Sequence, residues 1–120
     1  MKYMLLIHNN PQYIAAMSQA EQQALFGRVE SIMKELERTG ELVGGAALAD
    51  PSETRTVKVR GGVPAVTDGP FIEAKEQFAG YLTVDVESPE RAVEIAASWP
   101  DAEYAAMEVR ALVHESGAEG

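Results

Sequence analysis

Residues 2–8 form a short, continuous apolar run closed by Asn9-Asn10-Pro11, the pattern of a central strand. Ser18, with Glu21 three residues on, precedes an apolar series at Leu25, Val29, Ile32, Met33 and Leu36. This is a capping box opening an amphipathic helix, which Thr39-Gly40 stops. Its polar face carries Glu21, Gln22, Arg28, Glu35 and Arg38. Residues 41–48 read as a second strand interrupted by Gly44-Gly45, where a bulge or a close backbone approach is expected. Pro51 opens a loop. Residues 54–60 then alternate, Gly61-Gly62 turns the chain, and residues 63–67 return, which predicts a hairpin that Arg55, Lys58 and Arg60 mark as solvated or edge-like. Residues 78–86 alternate strictly, with Phe78, Gly80, Leu82, Val84 and Val86 on one face. Ser88-Pro89 caps a second helix with a buried stripe expected at Ala92, Val93, Ala96 and Ala97, closed by Trp99-Pro100. Residues 107–113 make a last strand. One domain is expected over 1–115, with a flexible tail over 116–120.

The order of elements predicts an α+β, ferredoxin-like fold: two β-α-β units in one antiparallel sheet with both helices on one face. Two short helices are not expected to cover Leu5, Ile7, Leu82 and Val84 together. A bare apolar sheet face needs a cover, so a homodimer joined sheet to sheet is expected.

Composition narrows the partners. A formal net charge of −9 and a pI near 4.6 oppose binding to nucleic acid or to anionic lipid, both of which need a basic surface. The chain has no cysteine, which removes disulfides, thiolate nucleophiles and cysteine-ligated metals. No apolar run approaches the ~18 residues of a membrane span and the first run is too short for a secretory signal, so a cytoplasmic protein is expected. His8 and His114 stand at no metal-ligand spacing, neither Gly-Gly pair has a phosphate-loop context, and no serine lies in a nucleophile elbow. Neither metal nor cofactor is expected.

The densest chemistry lies in residues 67–81. Asp68-Gly69-Pro70 is a turn by mechanism, with Phe71 expected to anchor the loop against the core. Glu73, Lys75 and Glu76 follow. They read either as a carboxylate–ammonium pair lining a pocket, with Asp68 nearby to accept a proton, or as a solvated charge run with a structural salt bridge. His8, at the end of the first strand, is a second candidate base, or else a strand-end histidine bonded to Asn9 or Asn10.

The opening Met1-Lys2-Tyr3-Met4-Leu5-Leu6-Ile7, Val43-Gly44-Gly45 before Leu48 and Pro51, Thr67-Asp68-Gly69-Pro70-Phe71 with Glu73, Lys75, Glu76 and Gly80-Tyr81, and the late Glu108-Val109-Arg110 resemble the DGPF-motif branch of the YCII-related proteins. The resemblance implies a ferredoxin-like fold pairing into a dimeric α/β barrel, in bacterial cytoplasmic proteins often encoded near extracytoplasmic-function sigma factors. The wider group is thought to use a histidine–aspartate pair with the histidine on the first helix. Residues 18–39 contain no histidine, and His8 stands where the branch commonly has tyrosine. Two functions follow as expectations. One is a small cofactor-free lyase or isomerase acting on a small molecule in a cleft near the dimer seam. In it Asp68 is the base or orienting acid, Lys75 neutralises developing charge, Glu73 and His8 are further catalytic candidates, and Glu76, Phe71 and Tyr81 contact the ligand. The other is a non-catalytic ligand-binding or interaction module linked to a sigma-factor pathway.

Overall fold

Ser18 Oγ accepts the Glu21 amide at 3.1 Å and Glu21 accepts the Ser18 amide at 2.9 Å, so the capping box opens a helix as its spacing dictates. In the computed structural model, which describes residues 1–117, that helix is α2 (Gln19–Thr39), ended by Gly40 at φ +79°. Before it come β1 (Lys2–Asn9) and a short α1 (Pro11–Ala15); after it come β2 (Leu42–Ala47), a 3-10 turn at Pro51–Glu53, β3 (Arg55–Arg60) and β4 (Val63–Asp68). The chain finishes with β5 (Gln77–Asp85), α3 (Pro89–Ser98), α4 (Asp101–Tyr104) and β6 (Ala106–Ala111). Part of the expected tail, residues 118–120, lies outside the described residues.

Four strands form one antiparallel sheet in the order β2-β5-β1-β6, and β3-β4 make a separate ribbon. With α2 and α3 as crossovers this is an α+β arrangement of ferredoxin-like type, into which the hairpin is inserted. Leu36 of α2 and Ala92, Ile95 and Ala96 of α3 close one core with Leu5, Leu82, Val84, Val86 and Trp99, so both helices cover the same sheet face.

Three expectations are corrected here. Leu5, Ile7, Leu82 and Val84 all belong to the helix-covered core, because α2 spans 21 residues and reaches across the sheet. The uncovered face is the alternate set, Met4, Leu6, His8, Tyr81, Thr83, Glu108 and Arg110, as strand register requires. Second, Val93 and Ala97 are exposed and Ile95 joins the α3 stripe, since burial at 92, 95, 96 and 99 follows the helical period. Third, β5 does not alternate throughout: Ile7 pairs with Gly80 but His8 with Phe78. Ala79 is the extra residue of a β-bulge, which turns Phe78 to the His8 face, the rings 5.9 Å apart.

Arg91 on α3 holds the corner between α2 and β2. Its Nε and Nη2 donate to Glu41 Oε2 and Oε1 at 2.8 and 2.9 Å, and Thr39 Oγ1 donates to Oε1 at 2.8 Å. These bonds, the Arg91 pair first, hold the Glu41 carboxyl at about 2. A depressed carboxylate stabilises fully above its ordinary range and loses that contribution as pH falls through its folded value. With both partners partly exposed, the pair is worth about 2 kcal/mol at neutral pH. Glu41→Gln is expected to lose that amount in urea denaturation at pH 7, and to approach the parent chain's stability near pH 2. A constant gap between the two chains across this range would contradict the assignment.

Candidate functional site

The floor of the helix–sheet interface is unusually low at one end. Where β2 and β5 pair beneath the first half of α2, the sheet presents Gly45, Ala46, Ala47, Ala79 and Gly80. A Cβ at Gly45 would stand 2.6 Å from the Tyr81 carbonyl oxygen, and one at Gly80 would stand 2.5 Å from that of Ala46. Glycine is therefore required by the approach of backbone to backbone. The consequence is a cavity of about 480 Å³, roofed by Leu25, Phe26, Val29 and Met33 of α2, walled by Ile7 and Leu82, and bordered by Ile14 of α1. This volume lies within the usual range for small-molecule sites, about 300–1,000 Å³.

One charged group is buried in its lining. Trp99-Pro100 ends α3 and turns the chain so that Asp101, the first residue of α4, comes inward; Trp99 is 4% and Asp101 9% exposed. The Trp99 indole N–H donates to Asp101 Oδ2 at 3.1 Å. Asp101 has no cationic partner among the described residues. Burial pushes its carboxyl up from the ordinary aspartate value, and the indole bond opposes this to a lesser degree. A raised, uncompensated carboxyl in an apolar cavity is suited to exchanging a proton with a bound molecule.

A second, more open cleft of about 820 Å³ lies on the other side of α1, lined by Asn10, Gln12, Asp50, Ser52, Pro70, Glu73, Lys75 and Gln77. Its loop is tied down rather than loose: Gln77 Nε2 donates to the carbonyls of Ile72 and Ala74 at 3.1 and 2.8 Å, and Thr56 Oγ1 to that of Gly69 at 2.7 Å. Gly69, at φ +96°, makes the turn that proline then fixes.

The residues expected from sequence are thus divided. Glu73 and Lys75 share the open cleft. Asp68 pairs in register with Arg55 at the root of the hairpin and is outside both concavities. Among the described residues none of Asp68, Glu73, Lys75 or Glu76 forms an ion pair, so the structural salt bridge is not made. Phe71 is no core anchor: it is 71% exposed, with Lys58 Nζ 5.2 Å from its ring centroid, because the loop bends away from the sheet. Tyr81 borders the inner cavity from β5, on the strand row that faces away from the helices. Among the described residues the His8 ring makes no hydrogen bond to Asn9 or Asn10; its Nε2 is 2.5 Å from Glu108 Oε1 on the uncovered sheet face. No group of three or more histidine, cysteine, aspartate or glutamate side chains among the described residues is placed to hold a metal. No helix of the described residues is long and apolar enough to cross a membrane.

Trp99 and Asp101 lie outside the expected set. Their one local signal is an acid directly after Trp-Pro, where proline holds the preceding Trp99 in extended backbone and so ends α3 at the buried indole.

Comparison with known proteins bears on the family and the fold. An uncharacterized protein of Rhizobium meliloti (strain 1021) is 28% identical over 96 residues, 80% of this chain and 77% of that protein. The structure of 5-chloro-2-hydroxyhydroquinone dehydrochlorinase (TftG) from Burkholderia phenoliruptrix AC1100, in complex with 2,5-dihydroxybenzoquinone, is similar at a TM-score of 0.50 and 14% identity, covering 96% of each chain. At that identity the likeness concerns the fold alone. The family profile of the YCII-related domain matches residues 1–116, and the chain belongs to that family.

Proposed function

We propose that this protein is a small cofactor-free enzyme of the lyase or isomerase type, which binds a small, flat, mostly apolar molecule between α2 and the sheet. Asp101 moves the proton. The observation that carries this reading is the burial of one carboxyl, without a counter-ion among the described residues, in a mostly apolar cavity whose other polar side chains are Asn9 and Tyr81. Such a group is costly to folding and useful to acid–base chemistry. A hydroxylated ring fits the site's chemistry, with its faces against Leu25, Val29 and Leu82 and one hydroxyl at the carboxyl. The named activity of the similarly folded dehydrochlorinase, on a hydroxylated ring, belongs to the same class of reaction. Glu73 and Lys75, across α1, provide polar contacts for substituents that reach the open cleft.

The working unit in this proposal is a homodimer formed through the uncovered sheet face, as a dimeric α/β barrel. Met4, Leu6 and Tyr81 are half-buried there and unpartnered by any helix, while His8 and Glu108 supply a polar pair.

Trp99, the chain's single tryptophan, lines the cavity and reports on its occupant. Titration with small hydroxylated aromatics, catechols and hydroquinones first, is expected to change its fluorescence with saturation at one molecule per chain, and the bound compound to be converted. Linear, non-saturating quenching by every compound would refute the cavity as the site. Saturable binding without conversion would select a ligand-binding module instead.

A further inference from the structure

Asn9 and Asn10 end β1 side by side, and only one of them serves the backbone. Asn10 Oδ1 accepts the Gln12 amide at 3.0 Å and so opens α1. The Asn9 carboxamide makes no hydrogen bond among the described residues. Asn9 follows Leu5 and Ile7 on the strand row that faces the helices, and it lines the inner cavity. An apolar residue would continue that row, and a polar one that breaks the pattern inside a cavity points to a ligand. No buried side-chain nitrogen or oxygen among the described residues is left without a partner. The half-buried Asn9 amide is therefore reached from the cavity and not shut inside the protein.

Its place is close to the acid. The helix α4 packs on β1 and β6, and the last β1–β6 pair is His8 with Ala106. Asn9 comes one step further along β1, where α4, which begins at Asp101, runs into β6. Tyr81, the other polar side chain of the lining, stands on the row turned away from the helices. The nearby Gln22 amide is committed to the carbonyls of Ile14 and Met17, at 3.1 and 3.4 Å.

We infer that Asn9 is the second anchor of the ligand and sets the substrate class: a ring with two oxygen substituents, one hydroxyl at Asp101 and the other oxygen at the Asn9 carboxamide. This rests on the proposed cavity site and on Asp101 as its acid–base group. A ring with one hydroxyl satisfies Asp101 and leaves the Asn9 amide against a bare ring edge, and an unpaired polar group in a site weakens binding. The carboxamide offers both a donor, Nδ2, and an acceptor, Oδ1, so it receives a hydroxyl or a carbonyl equally. When Asp101 takes the proton of the first hydroxyl, the electron pair left on the ring spreads by conjugation to the second oxygen. The Nδ2 N–H then stabilises the charge that arrives there.

The test titrates Trp99 fluorescence with phenol, catechol, resorcinol and hydroquinone in the parent chain, Asn9→Leu and Asn9→Ala, with a melting curve for each protein. The parent is expected to bind at least one dihydroxybenzene roughly 3–10-fold more tightly than phenol, the increment of one hydrogen bond. Asn9→Leu, close to asparagine in size, is expected to bind phenol at least as tightly as the parent and to lose the preference for the second hydroxyl. Asn9→Ala makes the same comparison if leucine unfolds the chain. A preference that survives in the folded variants, or a parent that binds phenol and the dihydroxybenzenes equally, would overturn Asn9 as an anchor and leave the cavity and Asp101 in place. Absence of saturable binding by all four compounds would overturn the cavity itself and this inference with it.

Discussion

Asp101→Asn is expected to abolish turnover and to raise the melting temperature of the protein at neutral pH. The two effects share one cause. Asp101 is buried with the Trp99 indole as its one side-chain hydrogen-bond partner among the described residues, and burial raises its carboxyl above the ordinary value of 3.8. A carboxyl whose folded pKa exceeds its unfolded one binds protons more tightly in the native state. Its effect on stability therefore becomes unfavourable as pH rises through that window, and stays so above it. Asparagine keeps an oxygen for the indole bond and carries no charge, so the variant is relieved of the penalty. The melting temperatures of the two proteins are expected to meet at pH 3, to separate as pH rises from the ordinary value of 3.8 towards the raised folded one, and to stay apart above it, with the variant on top. Losing a general acid or base costs roughly 10²–10⁴ in rate. An aspartate serving only to fasten Trp99 would give neither the pH-dependent gain nor the rate loss, and wild-type turnover in the variant would end the assignment.

Much of the fold was legible because its signals are local. The Ser18–Glu21 box, the Ser88-Pro89 start, Gly40 and the Gly61-Gly62 turn each act within a few residues, and apolar period separates strand from helix without reference to the rest of the chain. What was not legible depends on partners far away in sequence. The bulge at Ala79 arises from the pairing of β5 with β1, so Phe78 changes face for a reason absent from residues 78–86. His8 meets Glu108 only because β1 and β6 are sheet neighbours, one hundred residues apart. The charged motif around Asp68 was conspicuous by composition, yet composition does not state exposure, and the loop carrying Glu73 and Lys75 faces water. Asp101 was the reverse case: an ordinary acid after a helix stop, made unusual only by burial beside α2. The cavity it serves comes from Gly45 and Gly80, whose signal was read correctly as a close backbone approach but without the void above it.

Trp99 separates packing from chemistry in the same site, and its two substitutions are expected to diverge. The indole is almost wholly buried in the core cluster and its N–H is, among the described residues, the one side-chain donor to Asp101. Trp99→Ala removes the ring and leaves both a hole and an unsatisfied buried carboxyl, so a loss of about 3–5 kcal/mol in urea denaturation is expected. Trp99→Phe keeps most of the packing and deletes only the donor. Because the indole bond holds the Asp101 carboxyl down against the effect of burial, its removal lets the pKa climb further. The limb of the pH–rate profile that reports Asp101 is therefore expected to move to higher pH in Trp99→Phe, with a stability change well below that of the alanine variant. A merely structural indole would lower stability in both variants and leave the pH profile of the remaining activity where it was. Coincident profiles for Trp99→Phe and the parent would thus remove Trp99 from the proton-transfer machinery, even if Asp101 keeps its place there.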